Sequence, residues 1–184
     1  MKIVLITDTH FGARSDNTVI LDYFDKFFEN VFFPYIKNND IDYVCHLGDV
    51  FDKRKTLNMN TLNRSKQMFF DKIQDLGIVF DIIIGNHDCY YLDHNNVNSP
   101  KLTLKEYNFN IFEETTERTF DNLKVLYVPW ITKDNKSHSI RQMNISKAPV
   151  LFGHLEINGF KMTSGNVCEH GFDTNVFDKF NLVC

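Results

Sequence analysis

No stretch of this sequence is long and apolar enough to cross a membrane. Met1-Lys2 opens onto an apolar run that meets a carboxylate at Asp8, too short for a secretory leader. A disulfide-stapled scaffold is excluded next. The 4 cysteines, Cys45, Cys89, Cys168 and Cys184, show neither paired spacing nor a Cys-x-x-Cys motif, and read as reduced thiols of a cytoplasmic protein. The sequon Asn144-Ile145-Ser146 is accordingly expected to stay unmodified. Positive charge is scarce as well. Lys and Arg total 20 against 24 Asp and Glu, and the net charge of −4 excludes a strongly basic nucleic-acid module. Repeats, low-complexity tracts and linkers are all missing, so 184 residues predict one domain with a sizeable core.

What the chain does have is phenylalanine, 18 residues of it, and short apolar runs that end abruptly in polar groups. The clearest is Ile82-Ile83-Ile84, which stops at Gly85-Asn86-His87-Asp88. Ile3 to Thr7 runs likewise into Asp8-Thr9-His10, Tyr43 to Leu47 into Gly48-Asp49, and Pro149 to Phe152 into Gly153-His154. Four buried strands would each deliver Asp, Asn or His at the C-terminal end, where open α/β sheets bind ligands.

Between these runs the spacing turns helical. Leu21, Phe24, Phe27, Phe28, Val31, Phe32, Tyr35 and Ile36 predict a helix packed on the sheet, capped at Asn17 or Thr18 and kinked or ended by Pro34. A second helix is expected from about Asn58 to Asp75, with Met59, Leu62, Met68, Phe69, Ile73 and Leu76 inward and Gly77 as its stop. With strands at Ile41–Leu47 and Ile78–Ile84, this is a βαβαβ start and predicts a largely parallel sheet. Cys89 to Pro100 reads as a long surface loop. Asn110–Phe112, Glu117–Phe120 and Val125–Val128 read as antiparallel strands, the last two joined at Asp121-Asn122. Short helices are expected at Ile140–Ile145 and Val176–Lys179, then a final apolar run from Phe180.

The polar groups suit a metal. Residues two apart on an extended segment face the same way, so Asp8 and His10 can share an ion. Asp49 follows a Gly, and its two oxygens can bridge two cations. Asn86 offers a carbonyl oxygen and His154 a ring nitrogen. Carboxylate, amide and imidazole together suit Mn²⁺, Fe or Zn²⁺ better than Ca²⁺ or Mg²⁺. Two cations sharing Asp49 would clamp a phosphoryl group. His87 is then the expected general acid, with Asp88 holding its tautomer. His46, His94, His138 and His170 are given no role.

Asp8-x-His10, Gly48-Asp49-x-x-Asp52, Gly85-Asn86-His87-Asp88 and Gly153-His154 together resemble the calcineurin-like metallophosphoesterase family. More narrowly, Gly48 to Lys55, Val128-Pro129-Trp130 and Gly153 to Phe160 are similar to the SbcD-type DNA nuclease subunits, including those of T4-like bacteriophages. The resemblance implies an α/β, four-layer fold, two mixed β-sheets packed face to face and flanked by helices. It also implies manganese, DNA as substrate, a homodimer, and an SbcC-type coiled-coil ABC ATPase as partner, in the cytoplasm (a host's, for a phage protein). Residues 1–184 would be the nuclease domain. The family's last motif, Gly-His-x-His, follows a strand like Phe180 to Cys184, and the capping and ATPase-docking regions would lie beyond it. A phosphatase of the same fold is the alternative, or an inactive scaffold. The Lys53-Arg54 pair and Asp88, where protein phosphatases carry Arg-Gly and Glu, favour the nuclease.

Overall fold

The computed structural model describes residues 2–163 and 165–184. The N-terminal apolar runs form one sheet, with β1 (Ile3–Ile6), β2 (Tyr43–His46), β3 (Val79–Ile83) and β4 (Asn110–Phe112) side by side in that order. Every pairing in it is parallel. The expectation of an antiparallel β4 is therefore corrected, and this sheet is parallel rather than mixed. The connection from β3 to β4 is a long crossover, which brings a strand back parallel where a tight turn would bring it back reversed.

Two long helices cover this sheet. α1 (residues 18–38) runs as Thr18–Phe27, a π turn at Phe28–Phe32, and Phe33–Asn38. The Asn17 side chain accepts the Val19 N–H at 2.9 Å and caps it. Of the two outcomes expected at Pro34, a kink or an end, the helix does not end there and continues to Asn38. The Phe33 N–H reaches five residues back to the Phe28 carbonyl, so the ladder is already widened where Pro34 supplies no donor. α2 (residues 59–75) repeats the device, with its π turn at Lys66–Phe70 and Asn58 as cap.

The two π turns face each other and bring Phe28 and Phe32 to 4.7 and 5.6 Å from the Phe69 ring. Truncating the fully buried Phe69 would cost about 3–5 kcal/mol. The same helices correct the burial expectation. Phe27, Val31 and Tyr35 lie on the outer face of α1, Met59 stands out at the start of α2, and Leu76 is partly exposed at its end. A helix on a sheet buries one stripe, and eight apolar positions are wider than that stripe.

The second sheet is mixed. β5 (Thr116–Phe120) and β6 (Leu123–Val128) make the predicted hairpin through Asp121-Asn122. β7 (Val150–Gly153) then joins β6 in parallel, after a helical crossover, with β10 (Leu182–Val183) parallel on its far side. A two-stranded ribbon, β8 (Lys161–Thr163) and β9 (Asn166–Val167), stands apart. The helix expected at Ile140–Ile145 starts earlier, as α4 (Lys136–Ile145), after a short α3 (Ser99–Thr103) upstream. The one expected near Val176 is a single 3₁₀ turn, Thr174–Phe177.

Three apolar layers separate the elements. Phe11, Phe28, Phe69 and Phe80 lie between the long helices and the first sheet. Leu47, Ile83, Tyr127 and Phe152 fill the space between sheets. Leu126, Leu151, Met143 and Phe177 seal α4 and the 3₁₀ turn onto the second sheet. Four layers result, as the resemblance implied.

One charged group sits in the middle layer. The Asp81 carboxylate accepts from Arg118 Nε at 3.0 Å, Tyr127 O–H at 3.0 Å and Asn110 Nδ2 at 2.7 Å, and so ties β3 to β5 and β6. No helix among the described residues is long and apolar enough to cross a membrane.

Candidate metal centre

The first three polar motifs leave the C-terminal edge of the parallel sheet together. Beyond the strands the backbones of the first two stay paired: Asp8 N–H to the Gly48 carbonyl at 3.1 Å, His10 N–H to Asp49 at 3.0 Å, Phe11 N–H to Val50 at 2.9 Å. The fourth motif arrives from the facing sheet. His154 N–H holds the Val128 carbonyl at 3.0 Å, and Trp130 N–H holds Ile84, at the end of the first sheet, at 2.7 Å.

Close approach explains two glycines. A Cβ on Gly48 would lie 2.6 Å from His154 Nδ1, and one on Gly85 would lie 2.3 Å from both the amide N and Oδ1 of Asp49. Asp8, His10 and Asp49 all have positive φ, at 51°, 40° and 56°. The Asp8-x-His10 pair is therefore brought together by a left-handed backbone and not by extended alternation. Residues held in that region cost of order 1–3 kcal/mol each and gather at functional sites.

Asp49 is at the centre. His10 Nε2 stands 3.5 Å from Asp49 Oδ2 and 3.5 Å from Asp8 Oδ1; His154 Nε2 stands 3.5 Å from Asp49 Oδ2 and 2.9 Å from Asn86 Oδ1. Donors each about 2.1 Å from a shared ion stand roughly 3–3.5 Å apart, so this spacing is that of a coordination shell. Two groups of candidate ligand atoms, His10–Asp49–His87 and Asp8–Asp49–His154, each fall within 4.8 Å, and Asp49 belongs to both.

The polar accounting fits an ion as well. His10 Nδ1 is buried without a hydrogen-bond partner, and its nearest carboxylate, on Asp52, is 3.5 Å away. His154 donates from Nδ1 to the Leu47 carbonyl at 2.9 Å, which leaves the Nε2 lone pair facing Asp49. The hydrogen bond from His10, opposed by partial burial, holds the Asp8 carboxyl down at about 2, and in return Asp8 raises His10.

Asp88 is placed differently from the expectation. Its carboxylate accepts the backbone N–H of Asp49, Val50 and Gly85 at 2.9 Å and of Phe51 at 3.3 Å. Burial pushes it up to about 6, against those donors. With its oxygens committed to four amides, it cross-links the second and third loops and does not orient the His87 ring. The Asp52 carbonyl does that, 2.5 Å from His87 Nδ1, while the His87 N–H fixes Asp49 Oδ1 at 2.7 Å.

Two residues without an assigned role sit beneath the site. His46 is fully buried, accepts the Gly48 N–H on Nδ1 at 3.2 Å and meets Thr9 Oγ1 with Nε2 at 3.0 Å. Thr9 Oγ1 in turn donates to the Val50 carbonyl at 3.0 Å, which leaves Nε2 as the donor to Thr9. A polar His inside an apolar strand, two residues before Gly48, was the one signal for this in the sequence. Burial drives its pKa down to about 3, so it stays neutral. In the basic stretch Lys53-Arg54-Lys55, Lys53 is paired with Asp16 at 2.7 Å, and Lys55 lies over the Tyr90 ring.

A family model for calcineurin-like phosphoesterases matches residues 1–182. The chain belongs to the calcineurin-like phosphoesterase family. Divalent metal ions go with that family, and the ligand groups above are where this member would hold them. The whole chain is 28% identical to exonuclease subunit 1 of Enterobacteria phage T4, over 188 aligned residues and 53% of that protein. It is 30% identical over 128 residues to the DNA double-strand break repair protein Mre11 of Sulfolobus acidocaldarius, covering 68% of this chain and 28% of that one. It thus spans about half the length of the phage relative and under a third of the archaeal one. In fold it is similar to Pseudomonas putida nuclease MPE, with a TM-score of 0.50 and 17% identity over 85% of this chain and 62% of that one.

Proposed function

We propose that this chain is the nuclease domain of a metal-dependent DNA nuclease, an exo- and endonuclease subunit that hydrolyses phosphodiester bonds with two divalent ions, manganese in the first place. The observation that carries the reading is the pair of ligand groups sharing Asp49. Two similar proteins, a phage exonuclease subunit and a double-strand break repair protein, give it DNA as substrate. The motif resemblance adds a homodimer and an SbcC-type ATPase partner to the proposal.

Asp8, His10, Asp49, Asn86 and His154 would hold the ions. Once bound, ions there supply positive charge for the phosphoryl oxygens and acidify an attacking water. The chain's own residues do the rest. Asp49 presents one oxygen to both histidines while the His87 N–H fixes the other. His87, its Nδ1–H held by the Asp52 carbonyl, keeps Nε2 available at the site to protonate the departing alkoxide. Asp88 keeps the Asp49 and Gly85 backbones in register, and His46 and Thr9 do the same for the first two loops.

The net charge of −4 favours a phosphatase as the second reading. Both are tested by incubating the protein with linear DNA and with an aryl phosphate, each with Mn²⁺ and with chelator. Manganese-dependent DNA cleavage is expected. Rapid aryl phosphate hydrolysis with intact DNA would replace the nuclease by the phosphatase.

A further inference from the structure

The first loop keeps a left-handed backbone well past its metal ligands. Arg14, Ser15 and Asp16 have φ of 51°, 62° and 61°, so with Asp8 and His10 five non-glycine residues between positions 8 and 16 lie in that region. An L side chain is strained there, and such residues ordinarily occur singly rather than three in a row. Here they close one left-handed turn, with the Asp16 N–H on the Gly12 carbonyl at 2.8 Å and the Asn17 N–H on that of Ala13 at 3.3 Å. At the head of the turn the Ala13 N–H donates to the His10 carbonyl at 2.9 Å.

A strained backbone lasts only where its surroundings fix it. The partly buried Asp16 side chain supplies two such contacts. Oδ2 accepts from Lys53 Nζ, on the second loop, at 2.7 Å, and Oδ1 accepts from Thr61 Oγ1, in the first turn of α2, at 2.8 Å. His10 depends on help of this kind. The Leu47 carbonyl orients the His154 ring, whereas His10 Nδ1 has no hydrogen-bond partner among the described residues, and the His10 backbone is itself strained at a φ of 40°.

Resting on the ligand set proposed above, we propose that Asp16 is a positioning residue for His10. By holding Lys53 and Thr61 it keeps the turn wound. Through Ala13 the turn keeps His10 in the conformation that sets Nε2 3.5 Å from both Asp8 and Asp49. The competing anchor is Phe11, the buried residue next to His10.

Calorimetric titration with Mn²⁺ tests this, with urea unfolding in chelator beside it. Asp16→Ala should weaken manganese binding by about 10–100-fold, the range for groups that orient a ligand from behind. Its urea midpoint should move by no more than about 0.5 M, because a partly exposed ion pair is worth little and the strain is released with it. In a chain already carrying His10→Ala, the same change should weaken binding no further, since its effect runs through His10. Glycine adopts the left-handed conformation without strain. Arg14→Gly with Ser15→Gly, added to Asp16→Ala, should therefore keep the turn wound and recover most of the lost affinity. Lys53→Met, at an exposed residue, cuts one of the two links and should give a smaller loss with the same dependence on His10. Unchanged affinity in Asp16→Ala and Lys53→Met would overturn the proposal and leave His10 to Phe11 and the backbone pairing. A further loss on top of His10→Ala, or a loss that the glycines do not recover, would make Asp16 a structural link between the first loop and α2. No manganese uptake by the wild-type chain would remove the ligand reading itself, and the positioning role with it.

Discussion

The two sheets contribute unequally to the site. The parallel sheet delivers Asp8, His10, Asp49, Asn86 and His87 from three neighbouring strand ends, and the first two loops continue its pairing. The mixed sheet delivers His154 among these residues, along with Trp130 beside it. Parallel strands point all their C-terminal ends the same way, so one such sheet can assemble most of a ligand set. The facing sheet completes it only if the interface between sheets holds. Asp81 is part of that interface, a buried carboxylate satisfied by Arg118 and Tyr127 from the other side.

The comparison breaks most sharply at Asp49. Asp49→Ala should remove both ligand groups and abolish metal binding and cleavage together, whereas His154→Ala should spare the ligands on the side of His10 and Asp49. Calorimetric titration with Mn²⁺ on the two variants decides. Equal loss in both would mean that the sheets do not contribute separately.

Within the parallel half, His87→Asn should lower cleavage by about 10²–10⁴-fold while metal occupancy stays near wild type. A site emptied by that change would make His87 a ligand, not the general acid.

The joint is next. Asp81→Ala leaves Arg118 without its buried partner and should cost about 3–5 kcal/mol in urea unfolding. A change under about 1 kcal/mol would show that the apolar layer alone aligns the sheets.

The smallest effect is a pH slope. Folded His46 stays neutral down to about pH 3, while the unfolded chain protonates it near 6.5, so below pH 6.5 the unfolded state carries the extra proton. Stability falls with acidity by about 1.4 kcal/mol per pH unit from this group. His46→Gln should remove that slope when unfolding is followed in chelator at pH 7, 6 and 5. Parallel curves for the two proteins would exclude a buried neutral His46.

What the sequence determined by itself was local. Apolar runs closed by Gly and a ligand-type side chain marked β1, β2, β3 and β7, because strand burial and loop polarity are both written in consecutive residues. The hairpin at Asp121-Asn122 was legible for the same reason. Only the tertiary structure decided which groups meet. Asp88 follows His87 in the chain yet faces four backbone amides, and the Asp52 carbonyl, far off in sequence, takes the ring instead. β4 paired parallel because of the path of its connection, and Phe27, Val31 and Tyr35 were left outside because one sheet face covers one stripe of α1. Trp130 became a neighbour of His154 because β6 and β7 pair in parallel and end side by side. Spacing along a chain fixes which way a side chain leaves its own strand; what it meets depends on how separate strand ends pack.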